Sequence, residues 1–340
     1  MHTPTAGTTV GDLGEHALIA RITNRQPMPS WVVAGPGDDA AVLKATRGAM
    51  DVLTTDALVE GVHFDQALMP AHAVGQRALA VNLSDLAAMG ARPRAALLSL
   101  ALPSNLAVAA LDGFVDGFLA HAAAEGVTLI GGNVTRTTGP WVVSVTATGS
   151  VHQRGILRRS GARPGDGVYV TGWLGSAAVG LRSLRRPAQG NGGASTWAEC
   201  EARYLYPVAR VRAGLQLSHH GAASSCMDLS DGLGDGVRQL ALASNVGMVI
   251  DGDVLPLAPA VRQWHAARGE DAVATALSGG DDYELLFTVR PRHAGRLRGA
   301  TRRCGDLPIT RIGVVTASTD VLVRRGETLA PLSGGYEHFR

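Results

Sequence analysis

Only one of the 31 basic residues is a lysine, Lys44. A Walker A loop requires Gly-Lys-Ser/Thr, so that route to phosphate binding is excluded. The stretch AAVLK at 40–44 echoes a protein-kinase strand, but no His-Arg-Asp or Asp-Phe-Gly follows, and the echo reads as chance. Cysteine is scarce as well. Cys200, Cys226 and Cys304 are odd in number and far apart. They exclude a disulfide framework and a zinc site, and they suit a reducing cytoplasm. A formal net charge of +2 offers no nucleic-acid or membrane-surface signature. No apolar run approaches the roughly 18 residues of a membrane span. The first residues carry Asp12 and Glu15 and no apolar stretch, so no signal peptide is expected.

What is present is a chain of 340 residues, 46% of them hydrophobic, which is long for one core and predicts two domains. The boundary falls in the polar, Gly- and Arg-rich stretch at 150–166, giving an N-terminal domain at 1–150 and a C-terminal domain at 151–340. Apolar periodicity predicts helices at 11–24, 73–90, 105–125, 208–219 and 233–245. In the third, Leu111, Phe114, Val115, Phe118, Leu119 and Ala122 share a stripe, and Gly126 ends it. Strands are predicted at 95–102, 127–132, 141–149, 167–172 and 284–289. Their irregular alternation points to an α+β or layered α/β design. The Gly-rich stretch 185–195 reads as a mobile loop. A Gly/Ser-Asp turn recurs at 37–39, 84–85, 230–232 and 280–282, which raises the idea of two related halves.

The informative feature is where the acids sit. Asp38, Asp39, Asp56, Asp85, Asp228, Asp231, Asp235, Asp281, Asp282 and Glu284 lie in or beside Gly/Ser/Thr-containing turns next to apolar segments. Partly buried carboxylates must pair with a cation, accept hydrogen bonds or take up a proton. Too few basic residues lie alongside to pair them all locally. Each acid alone has a structural account, because Asp caps helices and makes turns. Asp231 and Asp235 fall near a predicted helix N-terminus, where an anion is favoured. Asp85 is harder to explain in that way. It shares a helical stripe with Ala78, Val81 and Met89, and Asn82 lies one turn before it. A metal or a buried arginine would each account for it.

Thr54, Thr55 and Asp56 place hydroxyls beside a carboxylate. An all-oxygen donor set without cysteine or paired histidine suits a hard cation such as Mg²⁺, which is usually completed by phosphate oxygens. His63 stands alone and reads as a hydrogen-bonding group, with a phosphate as one partner. Arg158, Arg159 and Arg163 could clamp a nucleotide. Together these features suggest phosphoryl transfer run on metals.

In order and spacing, GPGDDAAVL (35–43), TTDALVEGVHF (54–64), AVNLSDLAAMGA (80–91), LIGGN (129–133), LRRSGARPGD (157–166), MDLSDGL (227–233), SGGDDYELLFTV (278–289) and GGYEHF (334–339) closely resemble the thiamine-monophosphate kinases. Any one motif is weak, whereas the ordered set, from about Gly11 to Phe339, is highly specific. The resemblance implies an ATP- and Mg²⁺-dependent cytoplasmic enzyme that makes thiamine diphosphate from thiamine monophosphate. It also implies the two-domain α+β fold shared with aminoimidazole ribonucleotide synthetase and selenophosphate synthetase, with N-terminal domains pairing their sheets in a homodimer.

The same resemblance implies roles residue by residue. Asp39, Thr54, Thr55, Asp56, Asp85 and Asp228 would be Mg²⁺ ligands, and Asp231 would bind a further ion. Gly132, Arg159 and Ser230 would touch ATP. His63 and Asp281 would contact thiamine monophosphate. Two positions depart from the pattern. Asn133 replaces an aspartate, offering metal and nucleotide an oxygen without charge. Ser333 stands where the family often carries a tryptophan against the substrate rings. Three rivals follow. One is a catalytically weak thiamine-phosphate-binding protein, motivated by Asn133 and Ser333. Selenophosphate synthetase is disfavoured by the lack of a glycine-flanked Cys or Lys near the N-terminus. Aminoimidazole ribonucleotide synthetase fits the motifs less well.

Overall fold

The computed structural model describes residues 7–186 and 195–335. The chain divides into two compact units, one of residues 1–86 and 93–150, the other of 87–92 and 151–340.

The first unit opens with helices α1 (Val10–Leu13) and α2 (Glu15–Thr23), followed by a small hairpin of β1 (Val32–Ala34) and β2 (Val42–Leu43). The single helix expected at 11–24 is two, because Gly14 at φ 75° breaks it. Strand β3 (Met50–Val59), helix α3 (Ala71–Ala88), strand β4 (Arg92–Pro103), helix α4 (Val108–Glu125) and strands β5 (Thr128–Thr137) and β6 (Val142–Val151) complete it. The four longer strands form one sheet in the order β3-β6-β4-β5, with β4 and β5 parallel. Helix α4 buries the expected stripe except for Leu119, which is half-buried, and ends on left-handed Gly126. Helices α3 and α4 pack backbone to backbone. A Cβ at Gly75 would lie 1.9 Å from the Phe114 carbonyl oxygen, and one at Gly117 would lie 2.0 Å from that of His72. Trp141, fully buried, anchors the core with its ring edge-on to Phe64 and Phe114 at 5.6 and 5.3 Å.

The second unit contains β7 (Gly167–Thr171), α5 (Ser176–Leu184), α6 (Ala198–Leu205), α7 (Val211–His220), β8 (Ser225–Asp228), α8 (Leu233–Ser244), β9 (Gly247–Asp251), α9 (Pro259–Ala266), α10 (Ala272–Ser278), β10 (Leu285–Val289), α11 (Ala294–Thr301), β11 (Ile309–Thr316), β12 (Val321–Arg325) and β13 (Thr328–Pro331). Seven strands form a sheet in the order β13-β12-β9-β11-β7-β10-β8. Apart from the parallel pair β12–β9, neighbours are antiparallel. The apolar face of α8, Leu233, Val237, Leu240 and Ala241, seals one side of this sheet against Val168, Val170, Met248 and Leu286. Two mixed units of helix and sheet agree with the α+β reading. The loop expected at 185–195 lies largely outside the described residues, as do Tyr336 to Phe339 of the closing motif.

Candidate functional site

In the first unit, Asp38 and Asp39 occupy a turn after Gly37 and are both exposed. The expectation of partial burial fails there, and water screening removes most of the repulsion between the two carboxylates. Strand β3 carries Thr54 and Asp56 on one face and Thr55 on the other, as the two-residue strand period dictates. The Thr54 hydroxyl donates to Asp85 Oδ2, drawing β3 against α3. The Thr55 hydroxyl turns away and donates to the Val145 carbonyl at 3.1 Å.

Asp85 shares its stripe on α3 with Ala78, Val81 and Asn82, all of them buried, as the sequence suggested. Nearly every neighbour on α3 is buried, while Asp85 and Met89 keep partial exposure. Ser84-Asp85 is therefore a step within a helix and not a turn, which removes one of the four repeats behind the idea of related halves. His63 accepts a hydrogen bond at Nδ1 from the Val59 amide at 3.1 Å. The neutral ring then carries its proton on Nε2. On β5, a Cβ at Gly132 would sit 1.8 Å from the Leu98 carbonyl oxygen, so the contact with β4 by itself requires glycine. Asn133 follows it and is exposed.

In the second unit, strand β8 delivers Asp228, 6% exposed, at its end, and the chain turns through Ser230 and Asp231 into α8. The Ser230 hydroxyl donates to Asp231 Oδ2 at 2.8 Å. The segment 281–284 is laced to this turn by backbone bonds from Asp281 N to Ser230 O (2.7 Å), Tyr283 N to Leu229 O (2.8 Å) and Leu229 N to Glu284 O (2.9 Å). Asp281 and Tyr283 both take the left-handed conformation, at φ 68° and 49°, and the Tyr283 hydroxyl donates to Asp281 Oδ1 at 3.1 Å. The turn bearing Asp228, Ser230 and Asp231 thus lies against the loop bearing Asp281. The exposed Arg159 guanidinium donates to Gln239, which donates to Asp235 in the first turn of α8. Ser333 is exposed, and its carbonyl oxygen lies 2.9 Å from where a Cβ on Gly234 would be.

Three neighbours of this loop pair had no role assigned from sequence. Asp282 Oδ2 accepts from the Gly175 amide at 2.8 Å, at the start of α5. Loss of hydration raises this carboxyl to about 8, against the backbone amides of Gly175 and Ala177, which favour the anion. Glu284, almost fully buried, receives the Arg210 guanidinium through two nitrogens and the Thr171 hydroxyl at 2.7 Å. No local signal could have revealed that pair, because Arg210 lies 74 residues before its partner. The third neighbour is the exposed Trp173.

Among the described residues no three His, Cys, Asp or Glu side chains form a ready-made metal cage. The donors present are carboxylates and hydroxyls, with Thr54 joined to Asp85 and Asp56 on the same face of β3 as Thr54. Mg²⁺ fits such a set, since it takes one or two protein carboxylates and fills its other positions with water and phosphate oxygens. Among the described residues no helix is long and apolar enough to cross a membrane.

Two mixed units bearing oxygen-donor turns define a class. Residues 37–151 match the AIR synthase related protein, N-terminal domain, and residues 163–325 match its C-terminal domain. Within that class, the thiamine-monophosphate kinase of Escherichia coli K12 is 39% identical over 329 residues, covering 96% of this chain and 98% of the relative. The crystal structure of the Stenotrophomonas maltophilia thiamine-monophosphate kinase, also 39% identical, superposes with a TM-score of 0.78 over 91% of this chain and 94% of that one. AaThiL complexed with AMPPCP and TMP, 31% identical, gives a TM-score of 0.76 over 98% of this chain and 100% of that one. The chain belongs to the thiamine-monophosphate kinase family.

Proposed function

We propose that this chain transfers the γ-phosphoryl group of ATP to the phosphate of thiamine monophosphate, giving thiamine diphosphate and ADP. The observation that carries the reading is the end-to-end likeness to AaThiL, a protein solved with AMPPCP and TMP together. The named kinases at 39% identity support it, and neither the weak-binder reading nor another superfamily substrate has comparable support.

A phosphate oxygen of thiamine monophosphate attacks the γ-phosphorus in line. The new P–O bond forms as the bond to the β–γ bridging oxygen breaks, and that electron pair leaves with ADP. The attacking phosphate is already ionised near neutral pH, so no strong general base is required. Bound Mg²⁺ would offset the repulsion between two polyanions and stabilise charge at the transferring group. Asp39, Thr54, Asp56 and Asp85, with the neutral Asn133, would hold such ions in the first unit, and Asp228 and Asp231 in the second; the Thr55 hydroxyl, on the opposite face of β3, falls outside that set. Gly132, Asn133, Arg159 and Ser230 are assigned to ATP. His63, whose ring has its donor on Nε2, suits a phosphate oxygen of the substrate. Asp281 and Ser333 are assigned to the same substrate.

The active form is a homodimer joined through the sheet of the first unit, whose outward positions include Leu53, Thr55, Ala57, Leu97, Ser99 and Thr146. Leu53 is 68% exposed and Leu97 37%, an apolar surface that a second copy would cover. Three free, buried cysteines accord with a cytoplasmic setting. The test is formation of thiamine diphosphate by purified protein, combined with acid quenching after exposure to γ-labelled ATP. Label should reach the product and none should remain covalently on the protein. A phosphoenzyme would contradict direct transfer.

A further inference from the structure

Trp173 is exposed over 42% of its surface, and of the five tryptophans it is the only one so exposed. A single exposed apolar side chain is ordinary on a protein surface. Two features set this one apart: how it is held and what stands beside it.

Trp173 lies in the tetrapeptide Gly172-Trp173-Leu174-Gly175, which leaves the end of β7 and enters α5. The other three residues are pinned. Gly172 donates its amide to the Pro308 carbonyl at 2.8 Å, and a Cβ there would sit 1.9 Å from Glu284 Oε1, so no side chain fits. Leu174 is fully buried and donates to the Pro256 carbonyl at 2.9 Å. Gly175 donates to Asp282. The chain therefore turns Leu174 inward and Trp173 outward from a fixed base, and the indole is presented at little further entropic cost.

The base is built on the Asp281 loop. Strand β10 runs antiparallel to both β7 and β8, with Leu286 opposite Val170 and Leu285 opposite Asp228. The end of β7, the end of β8 and the start of β10 consequently share one end of the sheet. Trp173 emerges there with Asp228, Ser230, Asp231 and Asp281. Its two flanking glycines rest on Glu284 and Asp282, the residues that follow Asp281.

Thiamine monophosphate combines an aminopyrimidine with a permanently cationic thiazolium. A cationic aromatic is bound well by an indole face together with a carboxylate. Ser333, the other exposed substrate candidate of this unit, has no ring to offer. We propose that Trp173 is a specificity-determining residue, whose indole face stacks on the rings of thiamine monophosphate beside Asp281. This rests on the proposed kinase reaction and names the group that reads the thiamine portion of the substrate.

The experiment titrates the full-length protein with thiamine monophosphate without ATP, following tryptophan emission and, independently, heat of binding. The wild type should show quenching that saturates. Trp173→Ala should weaken binding about tenfold and lose the quench, while the KM for ATP stays unmoved. Trp173→Phe should keep affinity within about threefold, because a phenyl ring still stacks, yet lose the quench. An exposed side chain makes unfolding a poor explanation for these changes, and circular dichroism checks it. Unchanged affinity in Trp173→Ala overturns the proposal, and so does a Phe variant as weak as the Ala variant. A change in oligomeric state without a change in affinity would assign Trp173 to a subunit contact and also overturns it. If wild-type protein forms thiamine diphosphate and Trp173→Ala binds normally, only this inference falls. If the wild type forms none, the kinase reading falls first.

Discussion

The hydroxyl of Thr54 donates to the carboxylate of Asp85, joining strand β3 to helix α3 across 31 residues of sequence. It is a contact between an edge strand and a partly exposed helical position. Both residues are half-buried.

Asp85→Asn keeps a carbonyl oxygen to accept from Thr54 and removes the charge. Turnover should fall by roughly two orders of magnitude, the scale seen when one electrostatic partner of a transition state is lost. The circular dichroism spectrum and thermal midpoint should stay close to wild type. Near-normal turnover would remove Asp85 from the metal site.

Asp281→Ala acts on a different quantity. The KM for thiamine monophosphate should rise about tenfold or more, as expected for loss of a charged hydrogen-bond partner, while the KM for ATP holds. Steady-state kinetics with each substrate varied in turn decides it. A rise confined to ATP would reassign the loop.

Arg210→Ala strands Glu284, whose side chain is 3% exposed, as an unpaired buried acid. Breaking a buried pair from one side costs about 3–5 kcal/mol. For a chain of this size that should lower the thermal midpoint by about 10 °C. Differential scanning calorimetry would show it. Glu284→Gln should cost less, because the amide oxygen still accepts from the Arg210 guanidinium and the Thr171 hydroxyl.

Asp282 gives a pH signature. Its folded pKa of about 8 lies above the ordinary carboxylate value of 3.8, so between those limits the native state holds a proton that the unfolded chain has lost. Its contribution to stability is full below pH 3.8 and is lost as pH rises through 8. The thermal midpoint of the wild type should fall from pH 7 to pH 9. In Asp282→Asn, which cannot ionise, the fall should be shallower. Equal slopes would mean that Asp282 is already ionised at neutral pH.

Much of the fold was legible because its signals are local. Helix α4 shows an unbroken apolar stripe closed by Gly126, and β6 alternates buried and half-buried residues along its whole length. Strand β3 was harder to see. As an edge strand it buries only Leu58, and its hydroxyls and acid drew attention as metal donors. The short helices α5, α6, α9, α10 and α11 escaped notice because each spans only two or three turns. At the site, the acid-bearing motifs marked the right stretches of chain, but sequence could not tell the exposed Asp38 and Asp39 from the buried Glu284. Burial depends on partners such as Arg210 and Thr171, which are far away along the chain. Trp173 gave no signal at all, since only the anchoring of Gly172, Leu174 and Gly175 reveals that its exposure is built in.

The most direct test incubates purified protein with ATP, Mg²⁺ and thiamine monophosphate and quantifies products by chromatography. Thiamine diphosphate and ADP should appear in equal amounts, and formation should stop when a chelator removes the metal. ADP without thiamine diphosphate, or tight thiamine monophosphate binding with no turnover, would contradict the account.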